Sequence, residues 1–153
     1  TSAGLADDGV SFVSQSENES NYKFQIKFIG DLSFLPKNLL NKIKQLENKN
    51  LKIKKKLLIY FNYSGRLDIL NAHIKKSKNI DINEFKKLLI TKDFPDPDIL
   101  IRTGGYQRIS DFFLFQISFT ELFFIKKLWP EFNKSDIKKI IHKYINIERK
   151  FGY

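Results

Sequence analysis

Three apolar residues, Ile99-Leu100-Ile101, are enclosed by prolines at 95 and 97 on one side and by Gly104-Gly105 on the other, and the run ends on Arg102. So short a run between chain breakers suits a buried strand, Asp98 to Arg102, and is too short for a helix. An arginine at the end of such a strand, followed by glycines that let backbone N–H groups come close to a ligand, is a common way to hold an anion at the edge of an α/β sheet. Arg108 follows, and then Ser110. Two forked guanidinium groups and a hydroxyl suit a phosphate or pyrophosphate better than a neutral ligand. The local pattern also admits a second reading, in which Arg102 makes a structural ion pair and the glycines only turn the chain.

The rest of the chain alternates between two hydrophobic periods. Lys23 to Ile29 places Phe24, Ile26 and Phe28 on one face and closes at Gly30-Asp31, which predicts a strand and a turn. Leu39, Leu40, Ile43 and Leu46 are spaced for a helix to about Asn48. Lys56 to Asn62 predicts a second buried strand, and the turn after it, Tyr63-Ser64-Gly65-Arg66, again delivers an arginine just past a strand's carboxyl end. Leu67, Leu70 and Ile74 begin the next helix, and Ile82, Phe85, Leu88 and Leu89 continue a helical pattern. Phe112 to Ile117 is apolar on nearly all sides and is predicted to be core. Ser135 and Asp136 open a last helix with Ile137, Ile140, Ile141, Tyr144 and Ile147 facing inward, ending basic at Arg149-Lys150 with Gly152 after it. Such alternation predicts an α/β fold with a largely parallel sheet flanked by helices, and sites on such sheets lie beyond the strand carboxyl ends.

Composition narrows the function classes. The 153 residues are enough for one domain with a sizeable core and hardly for two. There is no Cys and no Met, so disulfides and thiolate metal sites are excluded. No run approaches the about 18 apolar residues of a spanning helix, and the first residues lack the basic and apolar regions of a signal peptide, which predicts a cytoplasmic protein. The net charge of +10 comes mostly from Lys scattered beside Asn, Ile and Phe, a solvated surface rather than a nucleic-acid groove. Residues 1–22 are small and polar without periodicity, and are read as a disordered tail or linker. Glu121 interrupts the aromatic run Leu122-Phe123-Phe124 at its start. A carboxylate there is paired, protonated or bound to a cation, or else sits wet at an element's end.

Several stretches together carry a family resemblance. IRTGGYQRISDFFLFQISFTELFFIKKLWPEF, from Ile101 to Phe132, resembles the signature region of the cis-prenyltransferases, the undecaprenyl diphosphate synthase family. Phe28 to Ser33 resembles that family's IIGDLS, Asn62 to Ile69 its NYGGRxEI, and Glu148 to Gly152 its terminal RERRFG. Order and spacing agree over about residues 23–152.

The resemblance implies a Mg²⁺-dependent transferase that condenses isopentenyl diphosphate repeatedly onto an allylic diphosphate such as farnesyl diphosphate, making a polyprenyl chain of the undecaprenyl kind. By position it implies that Arg102, Arg108 and Ser110 grip the pyrophosphate of isopentenyl diphosphate and that Glu121 binds Mg²⁺. Lys150 and Gly152 would touch a diphosphate across a homodimer boundary, and Arg66 and Asn18 are further candidates. The lipid product implies association with a membrane surface. Four positions depart from the family's pattern: Tyr106 replaces the usual Glu, Asp111 Asn, Phe115 Trp, and Lys150 an arginine. No stretch matches the family's DGNxRWA loop, and Phe12 to Asn18 (FVSQSEN) resembles its YAFSTEN only over a short span. The expectation is a carboxyl-terminal portion of such an enzyme, without the amino-terminal half. The alternative is a non-catalytic partner subunit.

Overall fold

The computed structural model describes residues 24–48, 55–76 and 79–149. They fall into two compact units divided between Phe61 and Asn62, where length alone suggested one.

In the first unit a strand, β1 (Gln25–Gly30), a helix, α1 (Lys37–Asn48), and a second strand, β2 (Lys56–Phe61), follow one another. The strands are parallel, with Gln25 opposite Lys56 and Gly30 opposite Phe61. A parallel pair cannot be closed by a hairpin, so the chain has to return through a crossover, and α1 supplies it. The alternation in β1 sends Ile26 and Phe28 to one face, where they pack with Ile43 of α1 among Phe24, Leu35, Leu39, Leu46, Leu57 and Ile59. Burying a side chain of this size contributes about 1.5–3 kcal/mol. Glu47, in the last turn of α1, accepts the Phe28 N–H at 2.8 Å and ties the helix to the strand by a polar contact as well. Gly30 ends β1 at φ 119°, and a Cβ there would lie 1.9 Å from the Phe61 carbonyl oxygen. The turn foreseen at Gly30-Asp31 therefore has a steric reason.

The second unit contains α2 (Gly65–Lys75), α3 (Ile82–Lys86), β3 (Ile99–Arg102), β4 (Glu121–Phe124), a 3₁₀ turn (Trp129–Glu131) and α4 (Lys134–Ile145). β3 and β4 are parallel, with Ile99 opposite Glu121 and Arg102 opposite Phe124. Each helix start is closed by a side chain that fills orphan N–H donors. Ser64 accepts from Leu67, Asp81 from Asn83 and Glu84, and Asn133 from Ser135 and Asp136. Between these elements lies a buried polar group. Asp68 accepts from the Tyr63 hydroxyl at 3.0 Å, the Gln116 amide at 3.2 Å and the Ile90 N–H at 2.8 Å, and Gln116 also donates to Thr91 at 2.9 Å. Three donors on one carboxylate offset the cost of removing it from water.

The parallel pairing agrees with the pattern of the sequence, but the described residues form two ladders of two strands rather than one wider sheet. The helix foreseen from Ile82 to Leu89 stops at Lys86, and turns follow, one of which brings the Ile90 N–H to Asp68. Phe112 to Ile117 is not a solid core segment. It runs in turns with only Gln116 buried, and positive φ at Ser110 (48°), Asp111 (64°) and Phe113 (52°) rules out a regular element entering it. In α4 only Ile140 is buried, while Ile137 and Ile141 are 40% and 43% exposed and Ile147 is 36% exposed. Its inward stripe is narrower than the spacing suggested, and the Tyr144 hydroxyl donates to Asp98 at 3.2 Å.

Two outcomes follow from this framework. Gly30→Ala places a methyl against the β2 backbone at a left-handed φ, and chemical denaturation should show a loss of about 1–3 kcal/mol. At the start of α4, Lys127 donates to both Asp136 oxygens at 2.9 Å and the Asn133 N–H donates at 3.0 Å. The lysine hydrogen bond first, then the backbone one, hold the Asp136 carboxyl below the ordinary aspartate range. A depressed folded value contributes stability above the unfolded value of about 3.9, and this is lost as pH falls through the folded one. Asp136→Asn should therefore melt lower than the parent at pH 7, with the gap narrowing below about pH 4.

Candidate functional site

Arg102 is the last residue of β3 and is half-buried. Its guanidinium Nη1 donates to Ser110 Oγ at 2.9 Å and to the carbonyl oxygen of Arg108, so the loop between them folds back over the strand end. The path of that loop is set by the chain after β4. Gly104 N–H donates to the Lys127 carbonyl and Gly105 N–H to the Ile125 carbonyl, each at 2.8 Å, while Ile125 N–H donates to Arg102 at 2.8 Å. The glycines stand at φ 87° and 80°, which is why side chains are absent there. Their N–H groups are spent on the chain after β4, which corrects the expectation that they face an anion.

Arg108 and Ser110 are exposed, and Tyr106 lies beside both arginines: its ring centroid is 4.1 Å from the Arg108 guanidinium carbon and 5.7 Å from that of Arg102. Among the described residues neither Arg102 nor Arg108 has a carboxylate partner, so the ion-pair reading of Arg102 is not what the fold adopts. The three residues singled out for an anion thus converge on one loop.

Arg66 reaches the same loop from the other side. Asp111 accepts the Ser64 hydroxyl at 2.5 Å and the Arg66 N–H at 3.1 Å, and its carbonyl accepts the Gly65 N–H at 2.7 Å. A carboxylate at a helix start fills first-turn donors and meets the positive end of the helix dipole. Gly65 is required for this contact, since a Cβ would lie 2.9 Å from the Asp111 oxygen. The Arg66 side chain is 85% exposed, with Nε 3.8 Å from Asp111. Sequence reading marked Asp111 only as a departure from a pattern. Ser64 before an apolar helix was the one local signal of a cap, and nothing local pointed to a partner 47 residues away.

Glu121 is elsewhere. It opens β4 opposite Ile99, which puts it about 10 Å along the strands from Arg102, and the fold does not bring it to the arginine loop. Its side chain is half-buried and has no hydrogen-bond or ion-pair partner among the described residues. Close to that strand end Arg149 donates to Asp98 at 3.0 Å, to the Tyr144 hydroxyl at 2.9 Å and to the Phe119 carbonyl at 2.9 Å. Arg149, read from sequence as the basic end of the last helix, fastens the chain beyond α4 to the start of β3. The described residues contain no group of three or more His, Cys, Asp or Glu arranged to hold a metal. An ion at Glu121 would take one protein carboxylate, with the other oxygens supplied by substrate and water. Asn18, Lys150 and Gly152, and the segment 1–22, lie outside the described residues. No helix among the described residues is long and apolar enough to cross a membrane.

Residues 5–152 match the protein family described as "Putative undecaprenyl diphosphate synthase", a match that begins within the segment read as a tail. The chain is 42% identical over 141 residues to dehydrodolichyl diphosphate synthase 3 of Arabidopsis thaliana, covering 84% of this chain and 47% of that protein. It is 38% identical over 139 residues to an isoprenyl transferase of Thermotoga maritima, covering 85% and 60%. Among solved structures, the lavandulyl diphosphate synthase of Lavandula x intermedia, in complex with dimethylallyl diphosphate, superposes with a TM-score of 0.84 at 34% identity, over 94% of this chain and 67% of that one. The chain spans about half to three fifths of the length of these two curated relatives. Fold, motif order and these likenesses agree: the chain belongs to the undecaprenyl diphosphate synthase family of cis-prenyltransferases.

Proposed function

We propose that this chain serves cis-prenyl chain elongation, the condensation of isopentenyl diphosphate with an allylic diphosphate such as farnesyl diphosphate to give a polyprenyl diphosphate of the undecaprenyl kind. The observation that carries this reading is the convergence of Arg102, Arg108 and Ser110 on one loop with no carboxylate consuming the two guanidinium groups. Two forked cations and a hydroxyl match the oxygens of a diphosphate in charge and in geometry. In the reaction a homoallylic double bond attacks as an allylic diphosphate departs, so the protein must hold two anions in register. Arg102 and Arg108 would hold the isopentenyl diphosphate, with Ser110 orienting Arg102, and Arg66 adds a cation on the flank of the same loop.

Mg²⁺ belongs to this reading through Glu121, a single hard-oxygen donor of the kind that ion takes alongside substrate phosphates, and when bound it would neutralise charge on the departing diphosphate. A homodimer in which Lys150 and Gly152 reach a neighbouring site, and attraction to a membrane surface through the lipid product, complete it. A non-catalytic partner subunit is the second reading. The distance of Glu121 from the arginine loop favours it.

Labelled isopentenyl diphosphate incorporated into chains with farnesyl diphosphate and Mg²⁺ would support the enzyme, whereas binding without product would support a surviving half-site in an incomplete enzyme. Arg102→Ala should weaken isopentenyl diphosphate binding by about tenfold or more, as expected for loss of charged hydrogen bonds. Glu121→Ala should lower the Mg²⁺-dependent rate with that affinity kept. Unchanged binding in the first and an unchanged rate in the second would remove the assignment.

A further inference from the structure

A guanidinium group offers two different surfaces to its surroundings. Its flat faces attract aromatic rings, and its edge carries the N–H donors that oxyanions use. Tyr106 meets Arg108 at 4.1 Å and Arg102 at 5.7 Å from ring centroid to guanidinium carbon, so one ring serves both cations. The ring also lies back over the loop, since a Cβ on Gly104 would be 3.9 Å from Tyr106 Cδ2. Tyr106 is 53% exposed, so it is not held there as part of a core. Without the ring, two like charges on one exposed loop would repel each other and Arg108 would be free to swing into solvent. A carboxylate at this position would gather them too, but by occupying their N–H edges and cancelling charge that an anion needs.

We propose that Tyr106 is a positioning residue that holds Arg108 beside Arg102 through its ring face, leaving the N–H edge of Arg108, and the Arg102 donors other than Nη1, to a diphosphate at full charge. This rests on the reading that Arg102 and Arg108 bind a diphosphate. It adds that the neutral ring at position 106 keeps the loop's two cations together without consuming either, and that the phenol hydroxyl is dispensable.

The test is calorimetric titration of the 153-residue chain with inorganic pyrophosphate, with chelator present, for the parent, Tyr106→Phe, Tyr106→Leu, Tyr106→Glu, Arg102→Ala, Arg108→Ala and the Tyr106→Leu/Arg108→Ala double variant. Position 106 is on an exposed loop, and equal melting temperatures will confirm that the variants fold. Tyr106→Phe should bind within about twofold of the parent, and Tyr106→Leu about threefold to fivefold more weakly, the worth of an exposed cation–π contact. Tyr106→Glu should bind more weakly again. In the Arg108→Ala background Tyr106→Leu should change affinity by less than about twofold, because the group it positions is gone. Additive effects of the two substitutions, or parent-like binding by Tyr106→Leu while Arg102→Ala binds weakly, would overturn the positioning role and leave the diphosphate site standing. Parent-like binding by Arg102→Ala would overturn the site itself, and the role of Tyr106 with it.

Discussion

The donation from the Arg102 guanidinium to Ser110 and to the Arg108 carbonyl is the contact on which the second unit's chemistry depends. A cation at a strand end needs partners, and here the chain supplies them from its own next loop rather than from a carboxylate. The consequence is geometric as well as electrostatic. The loop is bent back, Ser110 and Asp111 adopt left-handed backbone angles, and Asp111 is delivered to the start of α2. Arg66 then follows, because its own N–H is one of the donors that Asp111 fills. The residues that collect positive charge are thus linked to one another through hydrogen bonds within the chain, with Tyr106 between two of them.

Polar contacts carry much of the tertiary organisation of this unit. Asp68, Thr91 and Gln116 are buried together, and Asp98, Tyr144 and Arg149 join the chain beyond α4 to the start of β3. A buried network of this kind is specific because each member has few acceptable partners, and it is costly if one is lost. Apolar packing is thinner. Leu67, Leu70 and Ile74 along α2, and Ile137, Ile141 and Ile145 along α4, are all exposed large side chains.

Family membership and site geometry answer different questions. Membership rests on matched residues along nearly the whole chain and on superposition with solved relatives. The site rests on where those residues stand. Arg102, Arg108 and Ser110 stand together, whereas Glu121 stands at the far end of the same strand pair. A parallel register explains the separation: the loop that leaves β3 lies at the carboxyl ends of both strands, and Glu121 is the first residue of its own strand.

Amino-acid order alone determined the strands at 25–30, 56–61 and 99–102, the helices that follow the first two, and the cluster of basic residues after Ile101. Each is a local matter of period, breaker and cap, within reach of neighbours in sequence. Tertiary structure alone decided that the Gly104 and Gly105 N–H groups go to the chain after β4, that Asp111 caps a helix 45 residues earlier, and that Asp68 sits beneath Tyr63 and Gln116. Those are pairings of groups far apart in the chain, and a hydrogen bond has no periodicity by which sequence could announce it. The end of α3 and the exposed side of α4 belong with them. Helical spacing shows which side chains share a face, but what the face meets is decided by the elements packed against it.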